Sequence, residues 1–301
     1  EKLIISKNYI YPEINKNIGF SNDEINISDN IIQNIIEKYT YEAGVRKLNE
    51  LLYDIFRQIN LNKIYDDSIN YPFIIDWDFV KNIFKNLPEM ELKKINDSPK
   101  IGLVNGLYAT KAGLGGLTII QAKHTHSDKK FGLEKLTGSQ GDVMKESMDC
   151  AFTVLNNIIN KEYKEEFHKE HEKFGIHIHC PEAATPKDGP SAGAAITLAI
   201  VSLLSGIPVK NTIALTGEID LNGKVHAIGG LESKLDGAKR AGATTVLIPS
   251  ENEDDYKRII NTMNEDERNN YTDKFEVKIV EHYKDVVNEV LIENNLEFCF
   301  D

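Results

Sequence analysis

The apolar run at residues 192–204 constrains the fold of this chain more than any other segment. It falls short of the ~18 residues that a membrane span needs, and no other stretch reaches that length. Thr197 and Ser202 interrupt it, so it reads as a buried helix over 191–204. A helix that is apolar on all sides must be covered on all sides by other elements. The flanking sequence supplies them in a mixed texture. Before the run, residues 101–108 and 117–123 alternate as paired strands around a glycine-rich 112–116. A helical pattern spans about 142–159, a charged stretch at 160–173 reads as a solvated helix end and loop, and 176–179 is a short strand. After the run, segments 213–219 and 224–228 flank Asn222-Gly223, a two-residue hairpin signal. Then come a helix (231–241), a strand (244–248), a helix from Glu251, a strand (275–280) and a last helix to about residue 293. There is no internal repeat. The fold class of this region is α+β.

The first third has a different texture, rich in Asn, Ile, Lys and Tyr and poor in Gly. Ser28 caps a helix through Tyr39 with Ile31, Ile32, Ile35 and Ile36 as its apolar stripe. A second helix from about Tyr41 places Val45, Leu48, Leu52, Ile55, Phe56 and Ile59 at three- and four-residue intervals. Trp77 and residues 79–84 give a last short helix. Residues 1–87 therefore read as a small all-helical domain, 88–98 as a polar linker beside Pro88 and Pro99, and 99–301 as the larger domain. Two domains also suit 301 residues at ~100–200 per domain. A composition of 41% hydrophobic and 27% charged residues excludes wholesale disorder. The net charge of -12 argues against nucleic acid or an anionic membrane as a general partner. Cys150, Cys180 and Cys299 are odd in number and far apart, which argues against a disulfide framework or zinc ribbon and fits a reducing compartment. The chain opens on Glu1 with no charged-then-apolar leader, so a processed protein or a fragment is expected.

Two side chains carry the chemistry. Gly189-Pro190-Ser191-Ala192-Gly193 matches G-x-S-x-G, the nucleophile elbow of an α/β-hydrolase-like serine hydrolase with a downstream His. That motif needs an apolar strand running into the turn, whereas here a proline-containing polar loop, 181–190, precedes it. Ser191 still opens a helix, where free N–H groups favour an oxyanion. It is equally an ordinary N-cap serine. The helix 231–241 bears on the choice. Leu231, Leu235, Ala238 and Ala241 share one face with Lys234 in its middle, while Glu232, Asp236, Lys239 and Arg240 lie opposite. A lysine there either snorkels to water or is desolvated, with a lowered pKa that suits a general base. A Ser–Lys pair is one way to activate a hydroxyl.

PKDGPSAG, followed 43 positions after Ser191 by the lysine of GGLESK with TGEIDLNGKVHAIGG between, resembles the proteolytic domain of the Lon family of ATP-dependent Ser–Lys proteases. LTGSQGDVMKES (136–147) and HIHCPEAATP (177–186) are similar to that family too, and YTYEAGVRKL (39–48) resembles its small AAA+ α-domain. The resemblance implies Ser191 as nucleophile, Lys234 as its base and Thr216 as the lysine's hydrogen-bond partner. It also implies Asp188 as the acidic residue before the serine and Arg46 as the sensor-2 arginine that reaches ATP. Gln140 and Ala183 depart from the family pattern at positions that bear on loop geometry rather than on the dyad. No G-x-x-x-x-G-K-[ST] occurs in the 301 residues, so ATP and Mg are expected to bind a domain upstream of Glu1. A homo-hexamer acting on unfolded polypeptides, which bind extended as an added strand, is the implied assembly and substrate. Bacterial cytoplasm, mitochondrial matrix and a viral or host cytoplasm suit the chain alike.

Two further function classes stand beside this one. His168, His171, His177 and His179, with Cys180 adjacent, invite a zinc site, but no helical i, i+4 ligand pair occurs and no metal is expected. A non-catalytic scaffold would leave Ser191 unlabelled by an active-site probe.

Overall fold

Ser28 accepts the Ile31 N–H at 3.4 Å and so starts the helix that the isoleucine stripe predicts. It lies in the first of two units, Glu1–Glu91 and Leu92–Asp301, of the computed structural model. The structure describes residues 2–21, 23–40, 42, 44–65, 71–89, 93–110, 113–127, 132–158, 174–181 and 188–292. The first unit contains α1 (Lys2–Ile5), a π-helical turn (Ser6–Ile10), α2 (Tyr11–Ile18), β1 (Ile25–Ile27) and α3 (Asp29–Tyr39). It continues with α4 (Arg46–Tyr65), β2 (Phe73–Ile75) and α5 (Trp77–Ile83). Helix α4 begins at Arg46 rather than near Tyr41, because the Glu42 carboxylate accepts the first-turn N–H groups of Lys47 (2.8 Å) and Leu48 (3.0 Å). Its Leu48, Leu51, Leu52, Ile55, Phe56 and Ile59 are buried. Asp76 caps α5 through the Phe79 N–H at 2.7 Å. The helices are joined by something that periodicity did not reveal: β1 and β2 pair in parallel, Ile25 opposite Phe73. Three residues are too few to show an alternation.

The second unit runs β3 (Leu103–Ala109), β4 (Gly115–His126), β5 (Gly132–Thr137), α6 (Asp142–Ile158), β6 (Phe174–His179), a 3-10 turn (Pro190–Ala192) and α7 (Gly193–Ser205). It continues β7 (Ile213–Leu215), β8 (Glu218–Ile219), β9 (Val225–His226), α8 (Leu231–Arg240), β10 (Thr245–Pro249) and a second 3-10 turn (Ser250–Asn252). The last elements are α9 (Glu253–Thr262), α10 (Glu265–Thr272), β11 (Glu276–Val280) and α11 (Tyr283–Val290). Seven strands form one sheet in the order β11-β10-β7-β3-β4-β6-β5. β11, β10, β7 and β3 are mutually parallel, β4 is antiparallel to both its neighbours, and β5 is parallel to β6.

Alternate strand residues build a core on each face of this sheet. On one face Val104, Ile120, Ala122, Ile176 and Ile178 meet α6, α7 and α11. On the other, Leu107, Leu117, Ala214, Val246 and Ile248 meet Leu231, Leu235 and Ala238 of α8. Helix α7 is buried from Gly193 to Leu203, as its all-round apolar sequence requires. Its two hydroxyls are satisfied: Thr197 donates to the Gly193 carbonyl (2.9 Å), and Ser202 donates to Ile207 and accepts from the Gly102 N–H (3.0 Å).

Two local expectations are corrected. Asn222-Gly223 is not a two-residue hairpin turn. The Asp220 N–H donates to the Lys224 carbonyl (3.1 Å), so the β8–β9 hairpin closes on a three-residue loop, 221–223, with Gly223 left-handed (φ +83°), and the Asp220 carboxylate accepts the N–H groups of Asn222 (2.8 Å) and Lys224 (3.0 Å). β7 also stops at Leu215, and Thr216-Gly217 separates it from β8. Edge strand β5 has no counterpart in the sequence reading, since its positions do not alternate between buried and exposed. Residues 95 and 96 of the expected linker are attached to the second unit: the Ile95 N–H donates to Ala241, and the Asn96 carbonyl accepts from Asn211.

Candidate active site

Ser191 is the middle residue of the 3-10 turn that opens α7, and it is half-buried. Its carbonyl accepts the Gly217 N–H (2.9 Å) and the Thr216 hydroxyl (3.2 Å), while the Ala194 N–H donates back to Gly217 (3.1 Å). The break after β7 that sequence periodicity passed over is therefore what holds the serine turn. From the other side, α6 supplies two ties. The Ser147 hydroxyl donates to the Pro190 carbonyl (3.3 Å), and the Asp188 carboxylate accepts the Met144 N–H (3.1 Å). Asp188 thus satisfies a first-turn donor of α6 and sits at its positive end. Gly141 leaves the room for this contact, since a Cβ there would lie 2.3 Å from Asp188 Cγ.

Lys234 lies in the second turn of α8, 3% exposed, on the face that buries Leu231, Leu235 and Ala238. It does not snorkel. Its Nζ donates to the Thr216 hydroxyl oxygen at 3.1 Å. Burial lowers its pKa from 10.5 to about 8, because desolvation disfavours the ammonium form. Helix α8 can lie this deep because glycines meet where it crosses β4. A Cβ on Gly115 would come within 1.8 Å of the Ser233 carbonyl oxygen, and one on Gly237 within 2.4 Å of Gly115. Gly230, with φ of +70°, provides the left-handed residue just before the helix.

Lys234, Thr216 and Ser191 thus form one chain of hydrogen bonds, from amine to hydroxyl to the serine's carbonyl. Asp188 joins them through the α6 end. Arg46 belongs to the first unit, where its side chain is 91% exposed and pairs with Glu50 at 3.4 Å. His177 and His179 both turn to the hydroxyl of Thr137, at 2.8 and 2.7 Å. Burial, then the neighbouring His179 and Lys135, hold the His177 pKa below its ordinary value. Among the described residues no three His, Cys, Asp or Glu side chains are grouped to hold a metal, and His168 and His171 lie outside them. Residues 182–187 of the loop before Ser191, Ala183 included, also lie outside the described residues, whereas Gln140 donates to the Thr137 carbonyl at 2.6 Å. Sequence reading missed Ser147. It is a hydroxyl, 8% exposed, on the apolar stripe of Met144, Met148 and Ala151, the same anomaly that singles out Lys234.

Comparison with known sequences bears directly on this arrangement. Residues 80–293 match the family described as the Lon protease (S16) C-terminal proteolytic domain, and residues 16–70 match the Lon protease AAA+ ATPase lid domain. The chain is 36% identical over 96% of its length to the Lon protease homolog of Acanthamoeba polyphaga mimivirus. It is 43% identical over 86% of its length to the Lon protease of Buchnera aphidicola, and 39% over 98% to that of Clostridioides difficile. It spans about a third of each of these relatives (33%, 32% and 36%). With a proteolytic-domain match over most of its residues and a lid-domain match before it, the chain belongs to the Lon protease family.

Proposed function

We propose that this chain is the peptide-cutting portion of an ATP-dependent Lon-type serine endopeptidase, with Ser191 as nucleophile and Lys234 as general base. The observation that carries the reading is the buried Lys234 amine, lowered to about 8 and hydrogen-bonded to Thr216. At pH 7 about a tenth of such an amine is neutral, against roughly one part in 2,500 for a free lysine of pKa ~10.4. The neutral amine takes the Ser191 hydroxyl proton as the oxygen attacks the scissile carbonyl, and Thr216 orients the amine. Backbone N–H groups of the 3-10 turn around Ser191 stabilise the tetrahedral oxyanion. The protonated lysine then returns its proton to the leaving amine, and water attacks the acyl-enzyme by the same route in reverse. Asp188 and Ser147 hold the serine turn against α6.

In this reading the substrates are unfolded or damaged polypeptides bound extended, and the working protein is a homo-hexamer. ATP with Mg is bound by ATPase residues outside these 301, and Arg46 reaches its phosphates. No step at Ser191 is routed through ATP. An intracellular, reducing compartment suits the chain, whose three cysteines are odd in number and widely spaced. Among the described residues no helix is long and apolar enough to cross a membrane. The test is peptide cleavage by the intact protein with and without a serine-directed boronate and a strong chelator. Labelling of Ser191, loss of cleavage in Ser191→Ala and indifference to the chelator are expected. Cleavage by Ser191→Ala at the wild-type rate would sink the assignment.

A further inference from the structure

Helix α8 takes its setting from the strap that precedes it. The chain leaves β9 at His226 and runs through Ala227-Ile228-Gly229-Gly230 into the first turn of α8. The strap has no strand partner among the described residues, yet the Ala227 N–H and both peptide groups of Ile228 are taken. Two consecutive side chains of the turn Ser250–Asn252 take them. The Glu251 carboxylate accepts the Ala227 N–H at 2.9 Å. The Asn252 amide binds both peptide groups of Ile228, its Oδ1 accepting the N–H at 2.8 Å and its Nδ2 donating to the carbonyl at 3.1 Å. Asn252 is 2% exposed, and its Nδ2 also donates to the Asp255 carboxylate at 3.0 Å. A buried side-chain amide therefore stands where a neighbouring strand would otherwise be. Two residues further on, the Gly230 carbonyl accepts the N–H of Lys234 itself at 3.1 Å.

We infer that Asn252 is a positioning residue for Lys234: by holding both peptide groups of Ile228 it fixes the start of α8, and with it the depth at which the Lys234 amine is kept from water. The inference rests on the reading of Lys234 as the base. Physical reasoning connects the two ends. Truncating Asn252 leaves a buried N–H and a buried C=O without their partners, which the strap can relieve only by moving toward water. Lys234 sits four residues beyond Gly230, so a shift of the strap displaces its stem directly. Burial is the one cause that lowers the amine, and the Thr216 hydroxyl is its hydrogen-bond partner, so any gain in hydration raises the pKa.

The experiment measures Lys234 twice in the intact protein. Competitive acetylation with acetic anhydride from pH 7 to 11, read by mass spectrometry, gives the pKa of the amine independently of activity. The pH dependence of kcat and KM for a peptide substrate gives the same group through the reaction. In Asn252→Ala the Lys234 pKa is expected to rise by about one unit or more, which leaves about tenfold less neutral amine at pH 7. The kcat at pH 7 falls about tenfold and recovers as pH is raised, while KM stays near its wild-type value. Asn252→Ser introduces no charge beside the Asp255 carboxylate and keeps a hydroxyl for one of the two Ile228 peptide groups, so its shift should be smaller. That variant carries the test if the alanine protein does not fold. A folded variant with unshifted acetylation, or a kcat reduced equally at every pH, overturns the positioning role. A wild-type rate with no limb where Lys234 titrates overturns Lys234 as the base instead, and the acetylation shift then decides the positioning alone.

Discussion

Replacing Lys234 with methionine should make this protein both inactive and more stable. In the folded chain the amine has a pKa of about 8, against 10.5 for the ordinary group. The sign follows from linkage. Between about pH 8 and 10.5 the unfolded chain binds more protons at this site, so stability rises with pH across that window. Below it, the folded state carries the full cost of a charged, buried lysine, about 3 kcal/mol for a lowering of about two and a half units. Methionine of similar length removes that cost and forfeits the hydrogen bond to Thr216, worth ~1 kcal/mol. The net expectation at pH 7 is a gain of about 2 kcal/mol, measured by urea unfolding at equilibrium. At pH 11 the gain should vanish or reverse, since wild-type Lys234 is then neutral. Peptide cleavage should fall at least ~100-fold, the low end for a general base. Lys234→Arg should be as inactive, because guanidinium cannot give up a proton at working pH, but without the stability gain. A methionine variant destabilised at pH 7, or a stability difference independent of pH, would refute the desolvation argument. A folded arginine variant with near wild-type turnover would end the Ser–Lys reading.

Three further outcomes are expected. Gly237→Ala should cost upward of ~2 kcal/mol and disable cleavage, because its Cβ would lie 2.4 Å from the backbone of Gly115 and push α8 off β4; wild-type thermal stability would contradict this. Ser147→Ala should lower kcat several-fold while costing only ~1 kcal/mol of stability, as the Pro190 carbonyl loses its tie to α6; an unchanged kcat would show that the tie does not hold the serine turn. His226 is raised above 6.5 by its hydrogen bond to Asp220, against burial, with Glu251 adding to the rise. Its contribution is therefore present below pH 6.5 and lost as pH rises through the folded value. Being partly exposed, it contributes little, and His226→Gln should flatten stability across that window; a slope left intact would assign it to another group.

Much of the site's material was legible in the chain before any coordinate. Local rules were enough wherever the cause was local. Ser28 is a capping residue at the foot of an isoleucine stripe, and it caps. The run before Leu204 is apolar on all sides, and a helix of that kind must be buried. Lys234 stood out because one charged side chain broke an otherwise apolar helix face. What periodicity misjudged involved partners far along the chain. Periodicity runs strand β7 on through Thr216-Gly217, but Gly217 is hydrogen-bonded to Ser191 and Ala194 instead of to a strand.

Whether Lys234 snorkels or is sealed from water is undetermined by an amphipathic pattern, which gives a direction and no depth. The depth comes from Gly115 and Gly237, more than a hundred residues apart, which let the backbones of β4 and α8 touch. Thr216 reads as an ordinary strand residue until β7 ends one residue before it and turns its hydroxyl between the amine and the Ser191 carbonyl. Ser147 and Asn252 act on peptide groups 43 and 24 residues away, and a hydrogen bond to a distant backbone leaves no periodic trace in sequence. The sequence by itself determined which residues could do the chemistry and which elements carry them. The tertiary structure decided how dry the lysine is, because solvation depends on every neighbour at once and no segment of the chain contains them all.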